Sequence, residues 1–344
     1  MSLSPEACLA LLSPERAAPT PLLRLPRLAE ALGVAEVFAK DETRRPLGNF
    51  KALGGVYAAL RAAAGRPRPP ALLCASAGNH GLSVAVGGRL AGVRVVIYLP
   101  RSASPIRAAR IEHEGATIVW VDGDYDDAAR AAVSASQRGD GALVADTSDD
   151  EAARTTLDVM AGYGLLAREI AEQLPGSPPT HLFLQAGVGG LAAALTAGLP
   201  GRAIVVEPET AACVGAALSA GRAVRLEGDL ATCAEMLACR VVSAPALKAL
   251  LARGAVGMTV SEAELQGAVA TLARHADVTT TPSGAAGLAG LIAAAGLKRL
   301  KGDAALTAAS RVVLVISEGR PADYVSAGPA SLRRRAGLGS PVRS

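Results

Sequence analysis

The chain has 344 residues, of which 50% are hydrophobic and 3% aromatic, and this length is enough for one large core or two smaller ones. Its net charge is +4, and its basic residues are scattered except for a short run at 333–335. We expect that run to be a solvated tail and not a nucleic-acid or membrane contact. The longest apolar stretch, 284–297, is shorter than the roughly 18 residues that a membrane-spanning helix needs. We therefore expect a soluble protein that binds neither nucleic acid nor membrane.

The five cysteines form no Cys-x-x-Cys pair, and none of them stands at zinc-ligand spacing from the four histidines. No metal site is predicted. The start of the chain lacks a charged region followed by an apolar one, which is the pattern of a secretory signal. Reduced, mostly buried thiols in a cytoplasmic protein are the interpretation that this pattern favours.

Short β-branched runs alternate with Ala-rich segments of helical length along almost the whole chain. The predicted strands are 37–40, 72–75, 93–99, 117–121, 143–145, 182–185, 204–207 and 312–317, and clear helical segments between them are 104–113 and 126–138. This alternation is typical of βαβ units with parallel sheets. The sequence therefore predicts a doubly wound α/β protein.

Two proline-rich breaks, at 65–70 and 175–179, bracket a segment about the size of a small domain. The segment holds four strand and helix pairs and ends in a long predicted helix, roughly 151–173, which can lead the chain back. We expect residues 65–161 to form a small α/β domain. It would be inserted into a larger domain that consists of residues 1–64 and 162–344.

Lys51 follows a turn signal at 46–49 and begins a helical pattern. A lysine in the first turn of a helix lies in the positive field of the helix dipole, which lowers the pKa of its amine, as an imine-forming amine requires. On its own, such a lysine is most simply a solvated helix residue. Its interpretation depends on the motifs that accompany it.

Ser76, Ala77, Gly78, Asn79 and His80 directly follow a predicted strand and directly precede a helix. Small residues at such a turn let backbone amides approach a ligand, and Asn79 adds a side-chain donor. An ordinary tight loop is an equally good interpretation of this run taken alone.

A glycine loop, Gly187-Val188-Gly189-Gly190, also stands between a predicted strand and a helix. Exposed amides and the positive end of a helix favour phosphate binding. Together with Ala192 the loop also fits the degenerate dinucleotide pattern. Its position near the middle of the chain favours a mononucleotide-like phosphate group.

Five motifs, taken in this order, resemble those of the fold type II pyridoxal-phosphate enzymes, the group of threonine dehydratase and cysteine synthase. They are Gly-Asn-Phe-Lys-Ala-Leu-Gly-Gly at 48–55, Ala-Gly-Asn-His-Gly at 77–81, the glycine loop at 187–190, Pro-Ser-Gly-Ala-Ala-Gly at 282–287 and Val-Ile-Ser-Glu-Gly at 315–319. Within that group the resemblance is greatest to the diaminopropionate ammonia-lyases. That narrower likeness depends on Phe-Lys-x-Leu-Gly-Gly-x-Tyr at 50–57, Val-Glu-Pro at 206–208, Gly-Asp-Leu-Ala-Thr at 228–232 and Asp-Thr at 146–147.

The resemblance implies the fold of the tryptophan synthase β-like enzymes, with two doubly wound parallel-sheet lobes and pyridoxal 5'-phosphate between them. It implies that Lys51 holds the cofactor as a Schiff base with Phe50 beside it. Asn79 would bond the phenolic oxygen, Gly187, Val188, Gly189 and Gly190 would cradle the phosphate, and Ser317 would face the pyridine nitrogen. The residues implied for the substrate are Ser76, Ala77, Gly78, His80, Ser283 and Gly284. For His80 a purely structural role stays open.

The implied activity is α,β-elimination on a small amino acid such as L-2,3-diaminopropionate, which gives pyruvate and ammonia. Lys51 and Asp146 are then the candidate bases. Diaminopropionate ammonia-lyases place a further carboxylate at the position of Ala77, and alanine cannot accept a proton. We therefore expect the L form to be used and the D form to be a poor substrate. As an alternative, Asp146 would cap a helix at 148–151.

Two other functions stay open. A serine or threonine dehydratase, a β-replacement synthase or a racemase would share the same cofactor residues. A Rossmann-like protein that binds a nucleotide or another small ligand would carry no lysine adduct. The resemblance also implies a homodimer, and two-fold dimers are the commonest oligomers.

Overall fold

The computed structural model describes residues 3–13, 18–65, 68–297 and 304–320. The basic run at 333–335 lies outside them. The chain forms two compact units: unit 1 comprises residues 1–19 and 45–169, and unit 2 comprises residues 20–44 and 170–344. None of the helices in the described part of the chain combines the length and the apolarity that crossing a membrane requires.

Helices and strands alternate through the described residues. The helices are α1 (Pro5–Leu12), α2 (Pro26–Leu32), α3 (Lys51–Ala63), α4 (Asn79–Ala91), α5 (Pro105–His113), α6 (Tyr125–Gln137), α7 (Arg154–Gln173), α8 (Gly190–Gly198), α9 (Cys213–Ala220), α10 (Ala244–Ala252), α11 (Glu262–Ala276) and α12 (Pro282–Leu297). The strands are β1 (Leu22–Arg24), β2 (Glu36–Asp41), β3 (Leu72–Cys74), β4 (Val95–Pro100), β5 (Thr117–Val121), β6 (Ala142–Leu143), β7 (His181–Gln185), β8 (Arg202–Pro208), β9 (Val256–Val260) and β10 (Arg311–Ile316).

Unit 1 is built on a four-stranded sheet in the order β5-β4-β3-β6, and all its pairings are parallel. Helices α3 and α4 pack at close range because glycines leave room between them. A Cβ atom on Gly55 would lie 2.5 Å from the Cβ atom of Ser83, and one on Gly87 would lie 2.5 Å from that of Ala59. This packing groups α3 with unit 1, whereas the sequence-based division assigns it to the larger domain. The division into 65–161 and the remainder stays a prediction.

Unit 2 contains a six-stranded sheet in the order β1-β2-β10-β7-β8-β9, in which only β1 runs antiparallel to its neighbour. Helix α12 packs on this sheet through small residues. A Cβ atom on Gly287 would lie 2.7 Å from the carbonyl oxygen of Phe183, and one on Gly290 would overlap Val206. The abundance of alanine and glycine therefore reflects close approach between a helix and a sheet of buried β-branched residues.

The predicted fold class is confirmed, since both units are α/β with parallel sheets. All eight predicted strands form, and β1 and β9 were not predicted. Strand β1 has only three residues at the edge of the sheet. In β9, Gly257 interrupts the β-branched pattern because a Cβ atom there would lie 2.6 Å from the Cα atom of Gly215. Glycine is needed at that position for packing and not for a turn.

Candidate active site

Lys51 is the first residue of α3, as predicted. The turn before it places Leu47 and Gly48 in the left-handed region, with φ of +67° and +72°. Glycine adopts this conformation freely, whereas for leucine it costs about 1–2 kcal/mol of conformational energy. The Asn49 side chain donates to the Leu47 carbonyl at 2.8 Å and accepts from the Lys51 amide at 3.0 Å. These bonds fix where α3 begins and hence where Lys51 stands.

Lys51 and Asp146 form a direct ion pair although 95 residues separate them in the chain. Lys51 Nζ donates to Asp146 Oδ2 at 2.5 Å, and the two side chains are 20% and 17% exposed. Burial by itself would raise the pKa of Asp146, but the Lys51 ammonium holds it well below its ordinary value. Asp146 is therefore a carboxylate at neutral pH. The described chain has no helix at 148–151, and α7 begins at Arg154, so the helix-cap alternative for Asp146 is wrong.

Two aromatic rings flank the Lys51 ammonium. The rings of Phe50 and Tyr163 are 4.9 Å apart, and Lys51 Nζ lies 5.3 Å and 5.8 Å from their respective centroids, within range of a cation–π contact. Tyr163 is 1% exposed, and its hydroxyl interacts with the Lys51 amine. Burial raises the pKa of Tyr163 to about 12, so the phenol stays protonated.

Sequence reasoning missed Tyr163. Its position depends on Gly54 in α3 and Gly162 in α7. A Cβ atom on Gly54 would overlap the Tyr163 ring, and one on Gly162 would lie 2.6 Å from the Cα atom of Gly54. A glycine in each of two helices was the available signal, although neither position alone identifies its partner.

A buried ion pair lies close in sequence to the turn before Lys51. Arg45 and Glu169 form two hydrogen bonds, of 2.9 Å and 2.7 Å, with side chains that are 0% and 4% exposed. A bidentate, dry guanidinium–carboxylate contact of this kind orients both partners. The ion pair connects Arg45, the first residue of the second segment of unit 1, to α7, the helix that carries Tyr163.

The loop 76–80 follows β3, and Asp146 follows β6, which pairs with β3 in parallel. Both segments therefore leave the sheet of unit 1 at the same edge. Within the loop the Gly78 amide donates to Ser76 Oγ at 3.2 Å, and Asn79 begins α4. Residues 76–79 are partly buried. A Cβ atom on Gly81 would overlap the Ser76 carbonyl oxygen, so only glycine fits in the first turn of α4 where it packs against the loop.

His80 is buried, with 3% of its surface exposed. Its Nε2 atom lies 3.0 Å from the Val144 carbonyl oxygen, and because a carbonyl can only accept, Nε2 carries the hydrogen. Burial lowers the pKa of His80, so the ring is neutral. Its Nδ1 atom has no partner among the described residues. This contact with Val144, the residue that follows β6, agrees with a structural role, and a substrate contact by His80 stays a prediction.

In unit 2 the glycine loop joins β7 to α8. Gly189 has a φ of +92° and immediately precedes α8, and no side chain caps this helix. The amides of its first turn are therefore suited to an anion. A Cβ atom on Gly187 would lie 3.0 Å from Cys239 Sγ and 3.2 Å from the Met236 carbonyl oxygen, so a larger residue would distort the loop.

Ser317 follows β10, which pairs with β7 in parallel. Ser317 and the glycine loop consequently leave neighbouring strands at the same edge of the sheet. Ser317 is 4% exposed. Ser283 and Gly284 lie at the start of α12 and are buried: Ser283 Oγ accepts from the Met236 amide at 3.2 Å, and the Gly284 carbonyl accepts from Gln185 Nε2 at 3.3 Å. A substrate contact by these two residues stays a prediction.

The residue types in each unit fit pyridoxal phosphate. Unit 1 contains a primary amine at a helix start. Unit 2 contains an uncapped, glycine-rich helix start that suits a phosphate, and a neutral, buried hydroxyl. Within the described part of the chain no group of three or more His, Cys, Asp or Glu side chains could hold a metal ion.

Comparisons with known proteins agree with this fit. A family profile described as "Pyridoxal-phosphate dependent enzyme" matches residues 15–318. Diaminopropionate ammonia-lyase of Escherichia coli (strain K12) is 34% identical over 250 residues, which cover 64% of this chain and 62% of that relative. "Serine dehydratase-like" of Mus musculus is 31% identical over 304 residues, which cover 86% of this chain and 88% of that relative.

A solved structure shares the fold. The Escherichia coli diaminopropionate ammonia-lyase in complex with an aminoacrylate-PLP azomethine reaction intermediate has a TM-score of 0.79 and 27% identity, and the match covers 92% of this chain and 89% of that one. Since the family profile spans most of the sequence, the chain belongs to the pyridoxal-phosphate-dependent enzymes of fold type II, and its cofactor is pyridoxal 5'-phosphate.

Proposed function

We propose that the chain is an ammonia-lyase that converts L-2,3-diaminopropionate and water into pyruvate and two molecules of ammonia. The observation that carries the proposal is the 2.5 Å contact between the Lys51 amine and the Asp146 carboxylate, at the sheet edge where the loop 76–80 also begins. A β-elimination needs a base at the α carbon, and this contact brings two candidate bases together. The 34% identity to the Escherichia coli ammonia-lyase supports the same reaction, although the match covers only 62% of that relative.

Lys51 would anchor the cofactor, which when bound withdraws electrons from the α carbon of the amino acid. Lys51 would then be released by the incoming amino group and would be free to accept the α proton. Asp146 is a weak base while an ammonium lies beside it. Without that charge, burial would raise the pKa of Asp146 and make it a better proton acceptor.

The remaining assignments follow the family resemblance. Phe50 would pack beside the cofactor, Asn79 would bond its phenolic oxygen, and Ser317 would meet its ring nitrogen. The loop Gly187–Gly190 would hold the phosphate through the uncapped start of α8. The substrate would contact Ser76, Ala77, Gly78, His80, Ser283 and Gly284.

The test is incubation of the purified holoenzyme with L-2,3-diaminopropionate, L-serine and L-threonine, with oxo acid and ammonia both measured. The proposal predicts turnover of the diamino acid with two ammonia molecules for each pyruvate. The Asp146→Asn variant should lose most of this activity, while Asp122→Asn, which alters an exposed carboxylate of the same unit, serves as the matched control. An enzyme that releases ammonia only from serine or threonine would refute the proposal.

A serine dehydratase is the second candidate. It is supported by the mouse relative, 88% of whose length the match covers, and by Ala77, which stands where diaminopropionate ammonia-lyases carry a carboxylate. The same incubation separates the two candidates, because a dehydratase gives one ammonia for each pyruvate and prefers serine.

We further propose a cytoplasmic homodimer. All five cysteines are free thiols and four of them are buried, which suits a reducing compartment. Light scattering during gel filtration measures the mass directly. A mass close to 34.5 kDa, that of one chain, would refute the dimer.

A further inference from the structure

Thr156 lies in the first turn of α7, and its hydroxyl donates to the Ala145 carbonyl at 3.2 Å. Ala145 directly precedes Asp146, the carboxylate that contacts the Lys51 amine. We propose that Thr156 is a positioning residue, which holds the chain before Asp146 so that the carboxylate faces the amine. The inference rests on the proposed function in one respect, since it takes Asp146 as a base of that reaction.

The sheet of unit 1 ends short of Asp146. Strand β6 has only two residues, and directly after it the Val144 amide donates to the Leu73 carbonyl at 2.8 Å. The chain then leaves the sheet, and residues 149–152 are exposed. Contacts other than the ladder of the sheet must therefore fix the direction of the segment that carries Asp146.

Two buried side chains bond the carbonyl groups directly before Asp146. His80 Nε2 donates to the Val144 carbonyl at 3.0 Å, and Thr156 Oγ1 donates to the next one, that of Ala145. His80 is 3% exposed and Thr156 is 1% exposed. Because a carbonyl that is shielded from water and loses its donor costs free energy, the backbone is held in the conformation that keeps both bonds. That conformation sets the direction in which the Asp146 side chain leaves the chain.

Thr156 shares a face of α7 with Val159 and Tyr163, since these positions are three and seven residues further along the helix. Val159 and Tyr163 lie against α3 at Gly54. A Cβ atom there would be 2.6 Å from the Val159 carbonyl oxygen and would overlap the Tyr163 ring. Gly54 is three residues after Lys51. One face of a helix therefore contacts both α3 and the segment after β6, and the distance between the amine and the carboxylate depends on it.

The inference requires the hydroxyl of Thr156 and not the shape of its side chain. Valine has nearly the same shape but no donor, and serine keeps the donor without the methyl group. Thr156→Val leaves the Ala145 carbonyl without this bond, so the segment is free to shift and Asp146 moves relative to Lys51. Thr156→Ser should preserve the arrangement.

The first test needs no turnover. A double-mutant cycle of Lys51→Met and Asp146→Asn measures their coupling in the full-length chain, first with Thr156 and then with Thr156→Val. Urea unfolding is followed by the fluorescence of Trp120, the one tryptophan of the chain, which lies in unit 1. Thr156→Val should reduce the coupling about twofold or more, and Thr156→Ser should keep it. A purely structural role would lower every urea midpoint and leave the coupling unchanged, and that result would overturn the inference.

Ser136→Ala is the matched control. Ser136 Oγ donates to the Gly141 carbonyl at 3.0 Å, directly before β6, so it makes the same kind of bond at the opposite end of that strand. Its removal should leave the coupling unchanged, and a loss as large as that in Thr156→Val would refute a specific role for Thr156. If the Thr156→Val protein is unfolded, Thr156→Ala makes the same comparison, and an unchanged coupling in that variant would also overturn the inference.

The second test measures kcat and KM of the holoenzyme for L-2,3-diaminopropionate. Thr156→Val should lower kcat about tenfold or more and change KM less, because a shift of about 1 Å in a catalytic group lowers a rate by up to about a hundredfold. Thr156→Ser should retain most of the wild-type kcat. An unchanged kcat in Thr156→Val would refute the positioning role and leave the proposed function standing. A reduced coupling in a chain that does not turn over the diamino acid would refute the proposed function and leave the positioning of Asp146 standing.

Discussion

The ion pair between Lys51 and Asp146 can be measured through stability. With an effective dielectric constant of about 20, unit charges at the observed 2.5 Å attract by about 7 kcal/mol, and desolvation of the two groups offsets most of that. Exposed pairs typically contribute about 0.2–1 kcal/mol, and removing one partner of a fully buried pair costs about 3–5 kcal/mol. Because these side chains are 20% and 17% exposed, we expect a coupling energy of about 2 kcal/mol.

A double-mutant cycle with Lys51→Met and Asp146→Asn measures this coupling in the full-length chain. Trp120 fluorescence during urea unfolding is the readout, because Trp120 lies in unit 1 with both residues. Lys51→Met alone should be the most damaging change, since it leaves a buried carboxylate without its cation. Without Lys51, burial raises the pKa of Asp146 in the folded protein, so this penalty is largest at neutral pH and shrinks as the pH falls and Asp146 protonates.

The matched control is a cycle on Arg101 and Asp122, also in unit 1, whose side chains are 68% and 86% exposed. Its coupling should be close to zero although the N–O distance is again 2.5 Å. Equal coupling energies in the two cycles would refute the reasoning, because burial and not distance is expected to separate them.

Three further outcomes are expected. Glu207 is fully buried, and burial raises its pKa to about 7 although the amides of Val214 and Gly215, which donate to its carboxylate, act in the opposite direction. Folding stability should therefore fall by about 3 kcal/mol as the pH rises from about 4.5 to above 7. Glu207→Gln should flatten that dependence in urea titrations followed by circular dichroism. Arg45→Met should lower the urea midpoint seen by Trp120 by the equivalent of about 3–5 kcal/mol, since the buried Glu169 then loses its guanidinium partner. A midpoint within error of wild type would contradict a dry pair. Ala77→Asp should raise turnover of D-2,3-diaminopropionate relative to the L form in an ammonia assay. Equal use of both enantiomers by the unaltered enzyme would contradict the expectation that the D form is a poor substrate.

Local patterns predicted eight of the ten strands in the described residues and the helix start at Lys51. Alternation of β-branched and alanine-rich runs is itself the cause of the βαβ fold, so it can be read directly from the sequence. The turn at 46–49 was recognisable from local residues too, because glycine suits the positive φ that the chain adopts at position 48. Strand β9 was missed because Gly257 serves contact with another element, and such a contact leaves no local pattern.

The candidate site was predictable only in part. The importance of Asp146 followed from resemblance alone, since nothing in the residues around it indicates an amine 95 positions away in the chain. Tyr163 was missed because a Gly-Tyr pair inside an amphipathic helix is typical of ordinary core packing. Its significance depends on its contacts with Lys51 and Gly54, and both belong to the tertiary structure. The roles of Asn79, Ser317 and the glycine loop stay predictions.

Reduction of the holoenzyme with borohydride, followed by digestion and mass spectrometry, tests most directly whether Lys51 is the residue that holds the cofactor. The account predicts a single phosphopyridoxyl adduct on Lys51, and no adduct on the Lys51→Ala protein treated in the same way. An adduct on another lysine, such as Lys40 or Lys248, with Lys51 unmodified would contradict it.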